Sequence, residues 1–215
     1  MITNTFRKAI VGTVFFCAHI PGTLVAGECS YKTYTWNTHT RSAVDYRRVE
    51  KPYAELEPYE VDAATGCTVC EQDQIEINLS ELPPFKICRV FAEPLRRVLR
   101  GLIDSGAPIE QVTGYRVGMT RGNADADGNR TQFSNHSFGI ALDINSEQNG
   151  LYDHCIQYGF SCRLIMGGLW RPGEDGRSLT ANGETVNALK ALGFKWGGEI
   201  AGRQKDFMHF SPTGY

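Results

Sequence analysis

Apolar residues recur at three- and four-residue steps through Phe91, Leu95, Val98, Leu99 and Leu102. That is the period of a helix with one buried face, and it predicts a helix over 90–103. Arg96, Arg97 and Arg100 fall largely between these positions and read as a solvated face. Gly106 and Pro108 stop the pattern. A second stripe, Val186, Leu189 and Leu192, predicts a helix within 178–192 that Gly193 ends. Shorter patterns predict strands. Ile75, Ile77 and Leu79 place one over 74–79, ended by Pro83-Pro84. Val112 to Val117 reads as a strand carrying Arg116, Ile140 to Ile144 as one ending at Asp143, and Phe207 to Phe210 as the last. Residues 28–65 show no helical period and read as an irregular or extended arm. Residues 118–132 are polar and glycine-rich, as in a functional loop over a site. Helices of unequal length between strands, without regular alternation, predict an α+β fold. A small antiparallel sheet would carry the site, with helices packed on one face.

Composition narrows the class. The 215-residue chain is 41% hydrophobic and 21% charged, ordinary for a globular protein, and its net charge of −2 supplies no broad positive field. Nucleic acid is therefore not an expected partner. Arg7 and Lys8 precede a mostly apolar stretch from Ala9 to Val25, and small Ala26-Gly27 precede Glu28. This is the pattern of an export signal over 1–27. A membrane anchor is the rival, but the unbroken apolar run Ala9–Ala18 is far short of the roughly 20 residues a span needs. Losing Arg7 and Lys8 takes the basic count from 22 to 20 against 24 acids. The mature chain is expected to be exported, periplasmic or secreted, with no stable membrane span.

Of seven cysteines, Cys17 falls in the signal. The other six, Cys29, Cys67, Cys70, Cys88, Cys155 and Cys162, suit a disulfide framework in an oxidising compartment. Cys155 and Cys162 bracket a short loop and are the expected local pair. Cys67-Thr68-Val69-Cys70 lacks a second such motif and a surrounding βαβ pattern. Disulfides to Cys29 and Cys88 therefore fit it better than zinc-knuckle or redox chemistry.

Candidate chemistry lies in three segments. Ser134-Asn135-His136-Ser137-Phe138-Gly139-Ile140-Ala141-Leu142-Asp143 and Asp206-Phe207-Met208-His209-Phe210 supply two imidazoles and carboxylates, and Gly114-Tyr115-Arg116 supplies a guanidinium. His136, Asp143 and His209 make a three-ligand set for Zn²⁺ that leaves one tetrahedral position open. Gly139 is where the chain can bend to bring His136 toward Asp143. Asp206, three residues before His209, is the candidate general base. Arg116 is the candidate for holding an anionic substrate or an oxyanion. Taken singly, each has a plain structural alternative, such as a core histidine, a strand-end cap or a surface ion pair. Asp125-Ala126-Asp127-Gly128-Asn129 has a faint calcium-loop look but lacks the downstream glutamate.

These residues resemble the zinc peptidases of bacterial cell walls: D-alanyl-D-alanine carboxypeptidases of the VanY type and L-alanyl-D-glutamate endopeptidases, which share a fold with the hedgehog signalling domain. The family pattern Ser-x-His-x-x-Gly-x-Ala-x-Asp is met by Ser134, His136, Gly139, Ala141 and Asp143, and its acid-x-x-His by Asp206 and His209. The run Gly193 to Gly198, with Trp196, is similar to the endopeptidase branch. The resemblance covers about Gly114 to Tyr215. It implies zinc on His136, Asp143 and His209, Asp206 as catalytic base, Arg116 in catalysis and substrate binding, and Ser134 and Trp196 as further substrate contacts.

The implied substrate is the peptidoglycan stem peptide, cut at L-Ala–D-Glu or trimmed of terminal D-Ala. The alternatives are a non-catalytic zinc module of hedgehog-like fold that binds wall or protein, and a metal-free disulfide-rich domain. The organisation expected is a signal over 1–27, a disulfide-containing arm and helix over 28–110 packed on the rest, and a catalytic core over 111–215.

Overall fold

The structure, a computed structural model, describes residues 27–214; apart from Gly27, the expected export signal lies outside them. The segment expected to be an irregular or extended arm opens with a long antiparallel hairpin, β1 (Glu28–Asn37) and β2 (Ser42–Pro52). Along β1, Tyr31, Thr33, Thr35 and Asn37 are buried in alternation. The period of two is hard to see in the sequence because three of these four side chains are polar. Beyond short 3-10 turns, Cys70 is disulfide-bonded to Cys29 on β1, and Cys67 to Cys88. The two half-motif cysteines thus pair as expected.

A tight hairpin follows, β3 (Gln74–Leu79) and β4 (Leu82–Cys88). Pro83 and Pro84 lie within β4 rather than ending the pattern. Both are exposed and sit where the β3–β4 register shifts, between the Ile77–Phe85 and Leu79–Leu82 pairs, the kind of irregularity at which a strand tolerates proline. Helix α1 (Arg89–Asp104) then buries Ala92, Leu95, Leu99 and Leu102. Arg96 pairs with Glu93 and Arg100 with Glu81 on its outer side, the solvated face the pattern predicted.

Strand β5 is only Val112–Thr113, so Arg116 stands beyond its end in irregular chain. The expected loop over 118–132 is instead a hairpin, β6 (Met119–Ala124) and β7 (Arg130–Phe133). Its turn is built by Asp125, whose Oδ1 accepts from the Asp127 and Asn129 N–H groups at 3.0 and 2.8 Å. That self-contained turn explains the calcium-like spelling. Strand β6 runs beside β1, giving a sheet of order β2-β1-β6-β7.

Next come β8 (Leu142–Ile144), β9 (Leu151–Asp153) and β10 (Arg163–Met166), with the Cys155–Cys162 disulfide between the last two. Helix α2 (Glu184–Ala191) is shorter than expected, since turns occupy the start of its predicted span. Strands β11 (Lys195–Trp196), β12 (Lys205–Asp206) and β13 (His209–Ser211) finish the chain. The single last strand expected at Phe207–Phe210 is thus two strands joined at Phe207-Met208.

Strands β11-β13-β8-β5 form one antiparallel sheet. Its Leu142, Ile144 and Phe210 enter the core with Leu95, Leu99, Val186 and Leu189 of the two helices. Burying each such side chain is worth about 1.5–3 kcal/mol. Because strand side chains alternate, Asp143 and His209 fall on the opposite face, and a one-residue slip would bury them in the core. The fold is α+β, with several small antiparallel sheets. Among the described residues, no helix is long and apolar enough to cross a membrane.

Candidate metal centre

Register brings the first two groups together, since His209 of β13 pairs directly with Asp143 of β8. His136 arrives on a 3-10 turn, Asn135–Phe138, that Gly139 ends at φ 64°. That left-handed conformation favours glycine. The space demands it too: a Cβ here would lie 1.9 Å from Gln74 Oε1 and 2.6 Å from the Cys88 nitrogen. The predicted bend is therefore present, and it is braced from outside, because Cys88 N–H donates to the Gly139 carbonyl at 2.8 Å.

Three donor atoms meet at this point. His136 Nε2 lies 3.1 Å from Asp143 Oδ1 and 3.2 Å from His209 Nδ1, and His209 Nδ1 lies 3.0 Å from Asp143 Oδ1. Ligand atoms on one face of a zinc tetrahedron are about 3.3 Å apart, given bonds of roughly 2.0–2.1 Å. The triangle matches that face. All three residues are buried, and they can hold a metal ion.

The protonation pattern also fits. His136 Nδ1 faces the Gly114 carbonyl at 2.8 Å. A carbonyl only accepts, so the proton sits on Nδ1 and the Nε2 lone pair is turned to the cluster. Burial holds the His136 imidazole below its ordinary pKa, which keeps it neutral. For Asp143, burial pushes upward, but the two imidazoles outweigh it and hold the carboxyl well below the usual range. Its second oxygen, Oδ2, accepts from Arg116 Nη2 at 3.1 Å. Arg116 itself is fixed by its backbone, whose N–H donates to the His136 carbonyl at 3.1 Å.

Asp206 ends β12, across from Leu151 of β9. The residue is half-buried, yet its Oδ1 is buried and meets no hydrogen-bond partner among the described residues. Burial, aided by the Asp143 charge, pushes its carboxyl up to about 7 against the opposing pull of His209, Arg116 and Arg121. A buried carboxylate oxygen left unmet is costly. It suits a site that admits a water molecule and a cation.

The structure therefore brings His136, Asp143, His209, Asp206 and Arg116 into one site. It does not bring Ser134 and Trp196 to its surface. Ser134 is buried as the residue before the 3-10 turn, with its Oγ 3.4 Å from Ser137 Oγ. Trp196 is 3% exposed, and its Nε1–H donates to the Phe207 carbonyl at 2.7 Å. Trp196 thereby braces the link between Asp206 and His209. Unforeseen from the sequence were the Gly114 carbonyl, Arg121 on β6, and Tyr34 on β1, whose ring lies against Gly118, two residues from Arg116. Backbone acceptors have no sequence signal, and Tyr34 is more than 80 residues from Arg116 in the chain.

Comparison with curated proteins and with solved structures gives no match. A family model described as D-alanyl-D-alanine carboxypeptidase matches residues 127–212, a span that includes His136, Asp143, Asp206 and His209 and leaves out Arg116. Over that matched segment, the chain is similar to D-alanyl-D-alanine carboxypeptidases.

Proposed function

We propose that this chain is an exported zinc peptidase that hydrolyses peptide bonds in peptidoglycan stem peptides. The observation that carries the reading is the pairing of a three-donor cluster with a buried, unmet carboxylate oxygen on Asp206. A module that only binds has no use for such an oxygen. His136 Nε2, His209 Nδ1 and Asp143 Oδ1 would hold the metal. Zinc, when bound, supplies Lewis-acid polarisation of a carbonyl and an acidified water. Asp206 takes the proton of the attacking water and returns it to the leaving amine as the carbon–nitrogen bond breaks. Arg116, with one N–H committed to Asp143, turns its remaining donors to an anionic group of the substrate.

Three disulfides among the described residues support an oxidising compartment, hence export. The organisation we propose is one catalytic unit over 111–215 with residues 28–110 packed against it. The test is mass spectrometry of purified muropeptides after incubation with zinc-loaded and chelator-treated protein. Zinc-dependent release of D-alanine assigns carboxypeptidase action, and cleavage after L-alanine assigns endopeptidase action. Intact muropeptides in both samples would sink the proposal.

A further inference from the structure

Two segments aim His136, and both rest on strand β4, which lies outside the segment that matches the peptidase family. The Gly114 carbonyl fixes Nδ1 at 2.8 Å, and Gly139 ends the 3-10 turn that carries the ring. Tyr115, next to Gly114, donates its N–H to the Lys86 carbonyl of β4 at 2.7 Å. The Gly139 carbonyl accepts from the N–H of Cys88, at the end of the same strand, at 2.8 Å. Lys86 and Cys88 stand two residues apart, so these main-chain groups share one edge of β4, the edge turned away from β3. Both approaches are close. A Cβ on Gly114 would lie 2.1 Å from the Lys86 carbonyl oxygen, much as one on Gly139 would lie 2.6 Å from the Cys88 nitrogen.

The Cys67-Thr68-Val69-Cys70 motif secures this edge. Cys67 is disulfide-bonded to Cys88. The pair is buried with Ile140 and packs with Phe138, the last residue of the His136 turn. The Val69 carbonyl accepts from Tyr115 Oη at 2.6 Å, so Tyr115 is held at its phenol as well as at its N–H. The Thr68 and Cys70 carbonyls accept from Gln74 Nε2 at 3.1 and 3.3 Å. Gln74 pairs with Cys88 across the hairpin, and its Oε1 fills the space that a Gly139 Cβ would need. Cys70 ties the far end of the motif to Cys29 on β1.

We infer that β4, the Cys67–Cys88 disulfide and Tyr115 form a splint that positions His136, so that its Nε2 is aimed at the donor cluster before any metal binds. The inference takes from the proposed function only that His136 is a zinc ligand. His136 is the ligand most in need of such support. Asp143 and His209 pair across β8 and β13 within a sheet, whereas His136 sits on a four-residue turn. A 3-10 turn has poorer hydrogen-bond geometry than an α-helix, so what packs on it matters more. Groups that orient a ligand raise metal affinity, because less freedom is lost when the metal binds. The cysteine motif, neither a zinc knuckle nor a redox pair, thus sets a metal ligand from outside the matched segment.

The test compares two double variants of the full mature chain, Cys67→Ala/Cys88→Ala and Cys155→Ala/Cys162→Ala. Each loses one disulfide, but only the first touches the splint. Zinc Kd is read by competition with a chelator of known affinity. In metal-free protein, hydrogen exchange at the His136 Nδ1 proton and at the Cys88 and Tyr115 amides is read by NMR. The first variant should raise the zinc Kd by about 10–100-fold, the usual cost of losing a ligand's orienting support, with faster exchange at all three protons. The second should keep wild-type values of both. Tyr115→Phe leaves every disulfide intact and removes one hydroxyl, so it decides the matter if the first variant does not fold. It should raise Kd by about two- to tenfold, the worth of one neutral hydrogen bond, and speed exchange at His136 Nδ1. Wild-type Kd in the folded Cys67→Ala/Cys88→Ala protein or in Tyr115→Phe overturns the inference, and so does an equal loss in the two double variants. If the wild-type protein binds no zinc, the metal reading fails, and exchange at His136 Nδ1 alone decides whether the splint positions the ring.

Discussion

Arg116 donates to Oδ2 of Asp143 at 3.1 Å, while Oδ1 of the same carboxylate faces both histidines. The guanidinium is therefore placed to act on the proposed metal through one of its ligands, besides the substrate role proposed above. Arg116→Gln should weaken zinc binding by about 10–100-fold, the usual cost of losing a ligand's orienting partner. It should also lower kcat/KM. Competition with a chelator of known affinity gives the first number and peptide cleavage the second. Zinc affinity equal to wild type would show that Arg116 serves only the substrate.

His136 and His209 should each be required for the metal. With either replaced by alanine, two donors remain, and elemental analysis after dialysis should find most of the zinc gone. Chelation of the wild-type protein should lower its thermal midpoint by about 5–10 °C. This follows from roughly 2.7 kcal/mol of linkage at a hundredfold excess over Kd, spread over a domain of this size. Full zinc occupancy in both alanine variants would place the metal elsewhere.

Much of this site could be read in the sequence, and for definite reasons. Ligand identity is carried by residue type, and the turn through Gly139 by a residue whose absence of Cβ is required. Strand β8 is legible because Leu142 and Ile144 flank a single acid. The N-terminal sheet was less legible, since β1 buries Thr33, Thr35 and Asn37, which carry no apolar signal. Ser134 and Trp196 stand inside the motifs, which is what suggests them as substrate contacts. In the fold both are buried, and Trp196 donates to the Phe207 carbonyl. A motif records that a residue matters at a position and leaves open which way its side chain turns.

Glu60 is a buried carboxylate far in sequence from the site, and it fastens the N-terminal hairpin. It accepts from Tyr31 Oη, from Lys51 Nζ at 2.7 Å and from the Glu57 N–H at 2.8 Å. Burial pushes its pKa upward, but Lys51, Tyr31 and the Glu57 N–H together bring it below the ordinary 4.5. A depressed folded-state pKa stabilises above the unfolded value and loses that contribution as pH falls through the folded one. Glu60→Ala should cost about 3 kcal/mol at pH 7 in urea unfolding. The gap between variant and wild type should narrow below pH 4.5. A gap independent of pH would mean that lost packing, not charge, is the cause.

Asp206 gives the sharpest test of chemistry, because its charge and its hydrogen-bonding shape can be separated. Asp206→Asn keeps the size and removes the proton acceptor. Zinc should stay bound while kcat falls by roughly 10²–10⁴-fold, the range expected for a lost general base. If Asp206 instead served only to orient His209, zinc affinity would fall with activity. The pH dependence adds a check that needs no substrate. In metal-free protein the Asp206 carboxyl is pushed up to about 7, chiefly by burial. A carboxyl raised in the folded state favours folding when protonated. That contribution is complete below about pH 4 and is lost as pH rises through about 7. Asparagine imitates the protonated form at every pH. Metal-free Asp206→Asn should therefore match wild type in stability at pH 4 and exceed it at pH 8. Equal stability at both values would mean that Asp206 is not held in the raised state, and the argument for it as a base poised near neutrality would fail.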